Sequence, residues 1–319
     1  MAHQVETMAF VGEVPWHGLG NQLTPGLPLE VWAQQAGMDW EIKEAPVRFM
    51  TETAGNLGAI MSFPEHKVLF RSDTNTPLSV VSQRYQVVQP GDILGFYRDL
   101  TEVSGFQLET AGVLKGGKKI WALARTGQSF ALKGGDVTNG FVLLATACDG
   151  TLATTAQFTS IRVVCNNTLA IALNNSTGAV KVPHSTKFDA QAVKKQLGIC
   201  VSGWDTFMYQ LKDLSERKVK NAEAERFFLR VFTDERKPSA TQTNELAMAK
   251  ATSLFNGQGK GADLASAKGT AFGLLNAVTA YVDHERRARS TDNRLDSAWF
   301  GQGATIKQRA LEQALLMVA

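Results

Sequence analysis

The chain has 319 residues, of which 44% are hydrophobic and 20% charged, and its formal net charge is +3 at pH 7. These values are ordinary for a globular protein with one large or two moderate domains, and they permit nucleic-acid binding without requiring it. The cysteines Cys148, Cys165 and Cys200 are odd in number and far apart. A disulfide framework or a zinc site is therefore not expected, and a reducing compartment is the natural one.

The sequence also argues against a metal, a cofactor and a membrane span. No two of the five histidines have metal-ligand spacing. The longest apolar run, Phe141–Cys148, is too short to cross a bilayer, and the amino terminus lacks the pattern of a signal peptide. We therefore expect a cytoplasmic protein that holds no metal and needs no cofactor.

Residues 1–78 are predicted to form an irregular α+β amino-terminal arm or cap. The first 30 residues are rich in glycine and proline, which favours an irregular segment. Its apolar anchors are Val14, Trp16 and Leu19. The elements expected after it are a helix at Leu29–Ala36, a strand at Trp40–Phe49 and a hairpin from Gly58–Ser62 and Val68–Arg71.

Residues 79–198 are predicted to form a helix–β-meander–helix core. A strand-like run at 79–88 precedes a helix at Ile93–Ser104. One hairpin is expected around Lys115-Gly116-Gly117 (strands Phe106–Leu114 and Lys118–Thr126). A second is expected around Asp149-Gly150 (strands Asn139–Cys148 and Thr151–Phe158), because Asp-Gly suits a type I′ turn. Helical spacing of apolar residues then predicts a helix over 161–173.

Residues 199–319 are predicted to be mostly helical. Strands occur in runs and do not alternate with helices, so the sheet should be antiparallel. The predicted fold is therefore α+β, with an antiparallel β-meander of two hairpins flanked by helices and a helical carboxy-terminal part.

Motifs for catalysis are weak throughout the chain. The glycine-rich run at 257–261 lacks the hydroxyl residue that follows the lysine of a phosphate-binding loop. Ser160, Cys165, His184 and Asp189 lack any nucleophile signature around them. The sequence thus predicts a protein that is not an enzyme.

Basic and aromatic residues of the core are the strongest functional signal. Lys119, Trp121 and Arg125 fall on one face of a predicted strand, and such a face suits a groove that neutralises phosphates and contacts bases. The alternative is an outer sheet face whose tryptophan is covered by a helix. The candidate DNA-binding residues are Arg84, Tyr85, Lys115, Lys118, Lys119, Trp121, Arg125, Lys133 and Arg162.

A second candidate basic patch comprises Arg286, Arg287 and Arg289 in the densest basic stretch of the chain. It is either another nucleic-acid contact or the end of a helix, where cations are favoured by the macrodipole.

Several motifs together resemble a known family. They are Gln83–Val88 (QRYQVV), Arg162–Leu169 (RVVCNNTL), Tyr281–His284 (YVDH), Trp299–Gly301 (WFG) and, near the amino terminus, Pro15–Gly20 (PWHGLG). The chain resembles the phage/plasmid-like protein family, a domain-of-unknown-function family of mobile elements, over nearly its whole length. The resemblance implies a protein of a phage or plasmid, located in the cytoplasm of a bacterial host.

The order of helix, β-meander and helix also resembles, at the level of fold, the Rad-type single-strand annealing proteins. That resemblance implies binding and annealing of single-stranded DNA by a ring or filament of identical subunits, in homologous recombination and without ATP. The implied partners are single-stranded DNA, other copies of the chain, and a mobile-element exonuclease or a host single-strand binding protein. The alternatives are a non-enzymatic interaction protein, such as a host-defence antagonist or virion component, and a metal-dependent nuclease.

Overall fold

The computed structural model describes residues 5–12, 20–53, 56–162, 164, 167–173, 176–177, 179–201, 203–233 and 244–319. The predicted apolar anchors Val14, Trp16 and Leu19 lie outside these residues. Contacts between Cα atoms divide the chain into two units. Unit 1 comprises Met1–Arg125, Val142–Ala156 and Ala179–Gln196, and unit 2 comprises Thr126–Phe141, Gln157–Gly178 and Leu197–Ala319.

The fold is α+β, as predicted. Its strands are β1 (Val5–Val11), β2 (Asn21–Leu23), β3 (Ile42–Thr53), β4 (Asn56–Arg71), β5 (Pro77–Ser82), β6 (Gln107–Leu114), β7 (Lys119–Leu132), β8 (Asp136–Ala147), β9 (Thr154–Arg162), β10 (Asn167–Ala170), β11 (Ala172–Leu173), β12 (Ser176–Thr177) and β13 (Ala179–Val182). Its helices are α1 (Leu29–Gln35), α2 (Pro90–Ser104), α3 (Ala190–Val201), α4 (Trp204–Glu216), α5 (Asn221–Phe232), α6 (Glu245–Ser253), α7 (Ala271–Ala280), α8 (Thr291–Phe300) and α9 (Gln302–Leu315).

The main sheet is larger than the two predicted hairpins. Its strand order is β10-β9-β8-β7-β6-β1-β2, with β13 beside β9. Neighbours such as β6 and β7 are antiparallel, as predicted, whereas β1 and β2 pair in parallel. A second sheet has the order β3-β4-β5. The helical carboxy-terminal part is also present as predicted.

The first predicted hairpin is confirmed. Strands β6 and β7 pair from Leu114↔Lys119 to Gln107↔Arg125. The connection is a 3₁₀ turn in which Lys115, Gly116 and Gly117 have φ values of 55°, 69° and 98°. Such left-handed conformations are accessible to glycine without steric cost, so the Gly-Gly pair explains why the chain reverses here.

Replacing each of these two glycines with alanine should have unequal effects. A Cβ on Gly117 would lie 3.1–3.2 Å from side-chain atoms of Trp40, Arg71 and Leu78, whereas one on Gly116 would have no atom within 4 Å. We expect Gly116→Ala to cost about 1 kcal/mol, for the left-handed backbone alone. Gly117→Ala should cost about 2–3 kcal/mol because a steric clash is added. Urea unfolding of both variants measures the difference, and equal costs would contradict it.

The second predicted hairpin forms with a different turn. Gly150 has a φ of 76°, but Asp149 is not among the residues with positive φ, so the type I′ turn predicted from Asp149-Gly150 is wrong. The connection is longer and spans residues 148–153. Asp149 Oδ1 accepts hydrogen bonds from the amide and hydroxyl of Thr151 at 3.0 and 2.6 Å. An Asx-type turn therefore replaces the two-residue turn.

The helix predicted over 161–173 is also wrong. Strand β9 continues to Arg162, and β10 pairs with it antiparallel in the register Asn167↔Arg162 and Leu169↔Ser160. Residues 163, 165 and 166, including Cys165, lie outside the described residues. The helical spacing of the apolar residues in this segment is coincidental, because short apolar runs suit buried strands as well as helices.

In unit 1, helix α2 is linked to the main sheet through Tyr97. The fully buried Tyr97 donates its hydroxyl hydrogen bond to the carbonyl of Ala122 at 2.7 Å, and the carbonyl of Val142 lies at 3.1 Å. One side chain thus links the helix to two strands, and Phe96 packs against its ring edge.

Unit 2 contains a buried ion pair within its carboxy-terminal part, and Thr168 of strand β10 hydrogen-bonds to both of its members. Lys307 Nζ lies 2.8 Å from Asp283 Oδ1 and 2.7 Å from the Thr168 hydroxyl. The Thr168 amide donates to the other oxygen of Asp283 at 2.8 Å. Lys307 and Asp283 are 4% and 6% exposed, so each charge depends on the other for compensation.

Candidate nucleic-acid interface

The first half of β7 does not present a basic face to solvent. Lys119 and Trp121 are 3% and 2% exposed, and every residue from 119 to 124 is buried. Both faces of this part of the strand are therefore covered. The Lys–Trp–Arg groove predicted from strand alternation is not formed here, and we exclude Lys119 and Trp121 from the candidate interface.

Arg162 is a structural residue of unit 2. Its Nε and Nη2 atoms donate to the Asp136 carboxylate at 2.8 and 2.7 Å. Nη2 also donates to the carbonyl of Gly261 at 2.9 Å, and Ser266 donates its hydroxyl to Asp136. With Arg162 4% and Asp136 1% exposed, the guanidinium cannot reach a DNA backbone.

Tyr85 is likewise part of the interior, in unit 1. Its hydroxyl donates to the carbonyl of Ala147 at 2.6 Å, and its ring stacks on His184 with centroids 4.4 Å apart. The two ring nitrogens of His184 lie 3.1 and 3.0 Å from the carbonyls of Gln86 and Leu152. Arg84, next to Tyr85, is exposed, so only Arg84 of this predicted pair faces solvent.

The remaining predicted cations of unit 1 differ in exposure. Lys118 is exposed and Lys115 half-buried. Arg125 is exposed, but its Nε atom lies 2.8 Å from a carboxylate oxygen of Glu109. That ion pair offsets the charge of Arg125. Of the cations predicted on this hairpin, Lys118 is therefore the strongest candidate for a contact with phosphate.

Lys133 lies in an open groove of unit 2 with a volume of about 420 Å³. The groove is also lined by Phe130, Lys212, Glu216 and Lys218. Lys133, Lys212 and Lys218, hereafter the groove lysines, are all exposed. They face a single carboxylate among the lining residues, so the groove is electropositive.

Helix α4 and the segment after it supply most of this charge. Lys212 lies on α4, and Glu216 follows one turn later. Lys218 Nζ donates to the carbonyl of Lys268 at 3.3 Å. Tyr209, three residues before Lys212 on the same helix, is 62% exposed, and residues at this spacing are neighbours on a helix surface. The groove therefore combines cations with an aromatic ring nearby.

Sequence reasoning identified Lys133 but missed Lys212 and Lys218. In the sequence, the charged residues around Lys212 and Lys218 are typical of a solvent-exposed helix face with i,i+4 ion pairs. Nothing in their spacing relates them to Lys133, which lies about 80 positions earlier in the printed sequence and is brought close only by the fold.

The second predicted basic patch contains one arginine with structural contacts and two exposed arginines. Arg286 is half-buried and donates to the Ser297 hydroxyl and the Gln302 side chain. It thereby connects the segment before α8 to α8 and α9. Arg287 and Arg289 are exposed, so only these two are available to a ligand.

Burial disfavours the thiolate form of Cys148 in unit 1. It raises the thiol pKa from 9.0 to about 12, with the charge of Asp149 as a smaller cause. Burial also raises the pKa of Tyr85 above its ordinary value. The thiolate is the reactive form of cysteine, so Cys148 is not a candidate nucleophile.

The raised pKa values of Cys148 and Tyr85 predict a loss of stability in alkali. A folded-state pKa above the unfolded value favours the neutral form, so this contribution is complete below about pH 9 and disappears as the pH rises from about 9 towards 12. We expect the free energy of unfolding to fall across that range, and native Cys148 to resist iodoacetamide at pH 8. Peptide mapping by mass spectrometry checks the second point, and rapid alkylation of the native thiol would contradict it.

Within the described ranges, no group of three His, Cys, Asp or Glu side chains is arranged to hold a metal ion. None of the helices in those ranges is long and apolar enough to cross a membrane.

Comparisons with known proteins give one match. The family model described as a domain of unknown function, DUF932, matches residues 77–299, which is more than half of the chain. No curated protein matches, and no solved structure matches. The matched segment contains α2, the strands β6 to β13, the groove lysines and the buried Arg162–Asp136 pair. The chain therefore belongs to the domain-of-unknown-function family DUF932.

Proposed function

We propose that this protein binds single-stranded DNA through the groove lysines and anneals complementary strands as a homo-oligomer. The observation that supports the proposal is the open groove with Lys133, Lys212 and Lys218 against one carboxylate, Glu216. The wider setting, recombination on a phage or plasmid without ATP, rests on the resemblances described for the sequence.

Three exposed ammonium groups suit an extended phosphate backbone. Each phosphate that a lysine neutralises releases counterions. For single strands, the logarithm of the binding constant therefore falls with the logarithm of the salt concentration, with a slope of about −0.7 per phosphate. The groove lysines alone would therefore contribute a slope of about −2.

Aromatic side chains can add affinity without sequence preference. Phe130 lines the groove and is partly exposed, and Tyr209 lies nearby on α4. Stacking of a base on an aromatic ring contributes about 1–3 kcal/mol. Few rings suit annealing, because most bases must stay available to a complementary strand.

Association of several copies would place one groove after another. A mildly basic chain with a net charge of +3 could then form a longer cationic track, since like patches on neighbouring subunits act together. The exonuclease or host single-strand binding protein that the resemblance implies would act on the same DNA.

The direct test is binding of a labelled, mixed-sequence single strand by fluorescence anisotropy over a salt series, followed by annealing to its complement without nucleotide. We expect preference for the single strand over duplex, a steep salt dependence and accelerated annealing. Absence of binding at low salt would refute the proposal. Loss of intact strand in magnesium would instead favour a nuclease.

A second candidate function is a non-enzymatic interaction protein of the mobile element. The observation that favours it is the exposed apolar part of the β3–β4 hairpin, where Phe49, Met50, Ile60, Met61 and Phe63 are 42–64% exposed. Oligomers or partner complexes that ignore DNA would support this function over annealing.

A further inference from the structure

The groove lysines of unit 2 share their groove with a carboxylate that is unpaired within the described part of the chain. Glu216 is exposed and lines the groove together with Lys133, Lys212 and Lys218. Its side chain forms neither an ion pair nor a hydrogen bond with any described residue. Lys212 lies four residues earlier on α4, a spacing that permits an ion pair on a helix, yet the two side chains are not paired. The carboxylate is therefore available to a ligand in the groove.

Glu216 does not stabilise the helix on which it lies. It is the last residue of α4, and the negative end of a helix dipole disfavours an acidic side chain. The neighbouring Arg217 binds a different carboxylate, since its Nη2 atom lies 2.6 Å from Glu223 Oε1. Local stability therefore does not explain a carboxylate at this position, and its main effect is on the ligand that occupies the groove.

A carboxylate in a cationic groove distinguishes between kinds of polyanion. It repels phosphate, and because it has no proton to donate it only accepts hydrogen bonds. The bases of an unpaired strand carry N–H groups on their Watson–Crick edges, to which proteins can hydrogen-bond. Guanine offers two of these groups side by side, N1–H and the 2-amino group, which match the two oxygens of a carboxylate. In a duplex, the complementary base occupies these donors.

We propose that Glu216 makes the groove selective for unpaired strands, by accepting hydrogen bonds from the Watson–Crick edge of a base while the groove lysines hold the flanking phosphates. The proposal rests on the DNA-binding function proposed above and identifies the residue that determines its specificity. In an unpaired strand, the hydrogen bonds offset the repulsion between the carboxylate and the phosphates. In a duplex only the repulsion remains, which disfavours the wrong ligand. A strand that has paired with its complement therefore leaves the groove.

The variant Glu216→Gln tests this role because it keeps the shape of the side chain and removes the charge. Fluorescence anisotropy compares the binding of a mixed-sequence single strand with that of a duplex of the same length. The variant should bind the duplex about fivefold more tightly than the wild type and the single strand with nearly unchanged affinity. The matched control is Asp213→Asn, which changes the net charge equally on the same helix at an exposed residue that does not line the groove. The control should keep the selectivity of the wild type.

A change in the base tests the hydrogen bonds themselves. Replacing every guanine of the single strand with hypoxanthine removes the 2-amino group and leaves the phosphates and the stacking surface in place. The affinity of the wild type should fall about threefold. The loss should be smaller for Glu216→Gln, because hydrogen bonds to a neutral acceptor are weaker than those to a carboxylate.

The inference can fail while DNA binding by the groove stands. If the wild type binds single strands but Glu216→Gln keeps the wild-type selectivity, or shares its gain in duplex affinity with Asp213→Asn, the inference is overturned. Equal losses with hypoxanthine in the wild type and in Glu216→Gln would also overturn it. A wild type without affinity for single strands would refute both proposals. Far-UV circular dichroism verifies that each variant is folded.

Discussion

Reversing the charge of the groove lysines together (Lys133→Glu, Lys212→Glu and Lys218→Glu) should reduce affinity for single-stranded DNA at least about 100-fold at low salt. Three attractive contacts with phosphates become repulsive, and the salt dependence of the remaining binding should be shallower by about 2 in slope. Because these side chains are exposed, the unfolding temperature should change little. Fluorescence anisotropy over a salt series measures both effects.

The matched control reverses three exposed lysines of unit 1, with Lys181→Glu, Lys187→Glu and Lys195→Glu. Its net charge changes by the same amount. If both triple variants lose affinity equally, the net charge and not the groove determines binding. Wild-type affinity in the groove variant would eliminate the groove as the interface.

Breaking the Arg162–Asp136 pair should have the largest effect on stability. With Asp136→Ala, the guanidinium of Arg162 keeps its buried position but loses a carboxylate at 2.7–2.8 Å. Uncompensated buried charges cost about 3–5 kcal/mol, so urea unfolding should show a loss of that size.

The double variant with Asp136→Leu and Arg162→Met should be less destabilised than Asp136→Ala, because no buried charge is left without its partner. If the double variant were the least stable of the set, the hydrogen-bonding geometry of the pair would contribute more to the free energy of unfolding than the balance of buried charges. The same double variant should bind DNA normally, since Arg162 is buried. Loss of binding in a folded double variant would restore the original prediction that Arg162 contacts DNA.

The hairpins show what the sequence could predict and where it failed. Lys115-Gly116-Gly117 located the first turn because left-handed conformations strongly favour glycine. Asp149-Gly150 located the second reversal, but the turn type depends on how the strand ends pack, which no dipeptide encodes. The region around Arg162 was mistaken for a helix, since a strand buried on both faces has no period-2 pattern to distinguish it.

The candidate interface was harder to predict than the fold. A sequence shows that Lys119 and Arg162 are charged but not that they are buried. Because buried cations are uncommon in proteins, both residues were predicted to lie on the surface. Lys212 and Lys218 approach Lys133 only through tertiary packing. Exposure and partners, which decide whether a cation can meet DNA, therefore required the structure.

The Lys307–Asp283 pair has a consequence for how the chain can be divided. The family match ends at residue 299, before helix α9, yet Lys307 of α9 supplies the ammonium that compensates Asp283 inside the matched segment. A fragment cut at the family boundary would retain a buried carboxylate without its counter-charge and would expose the surface that α9 covers. We therefore expect a stably folded fragment of this protein to extend past residue 299 and to include α9.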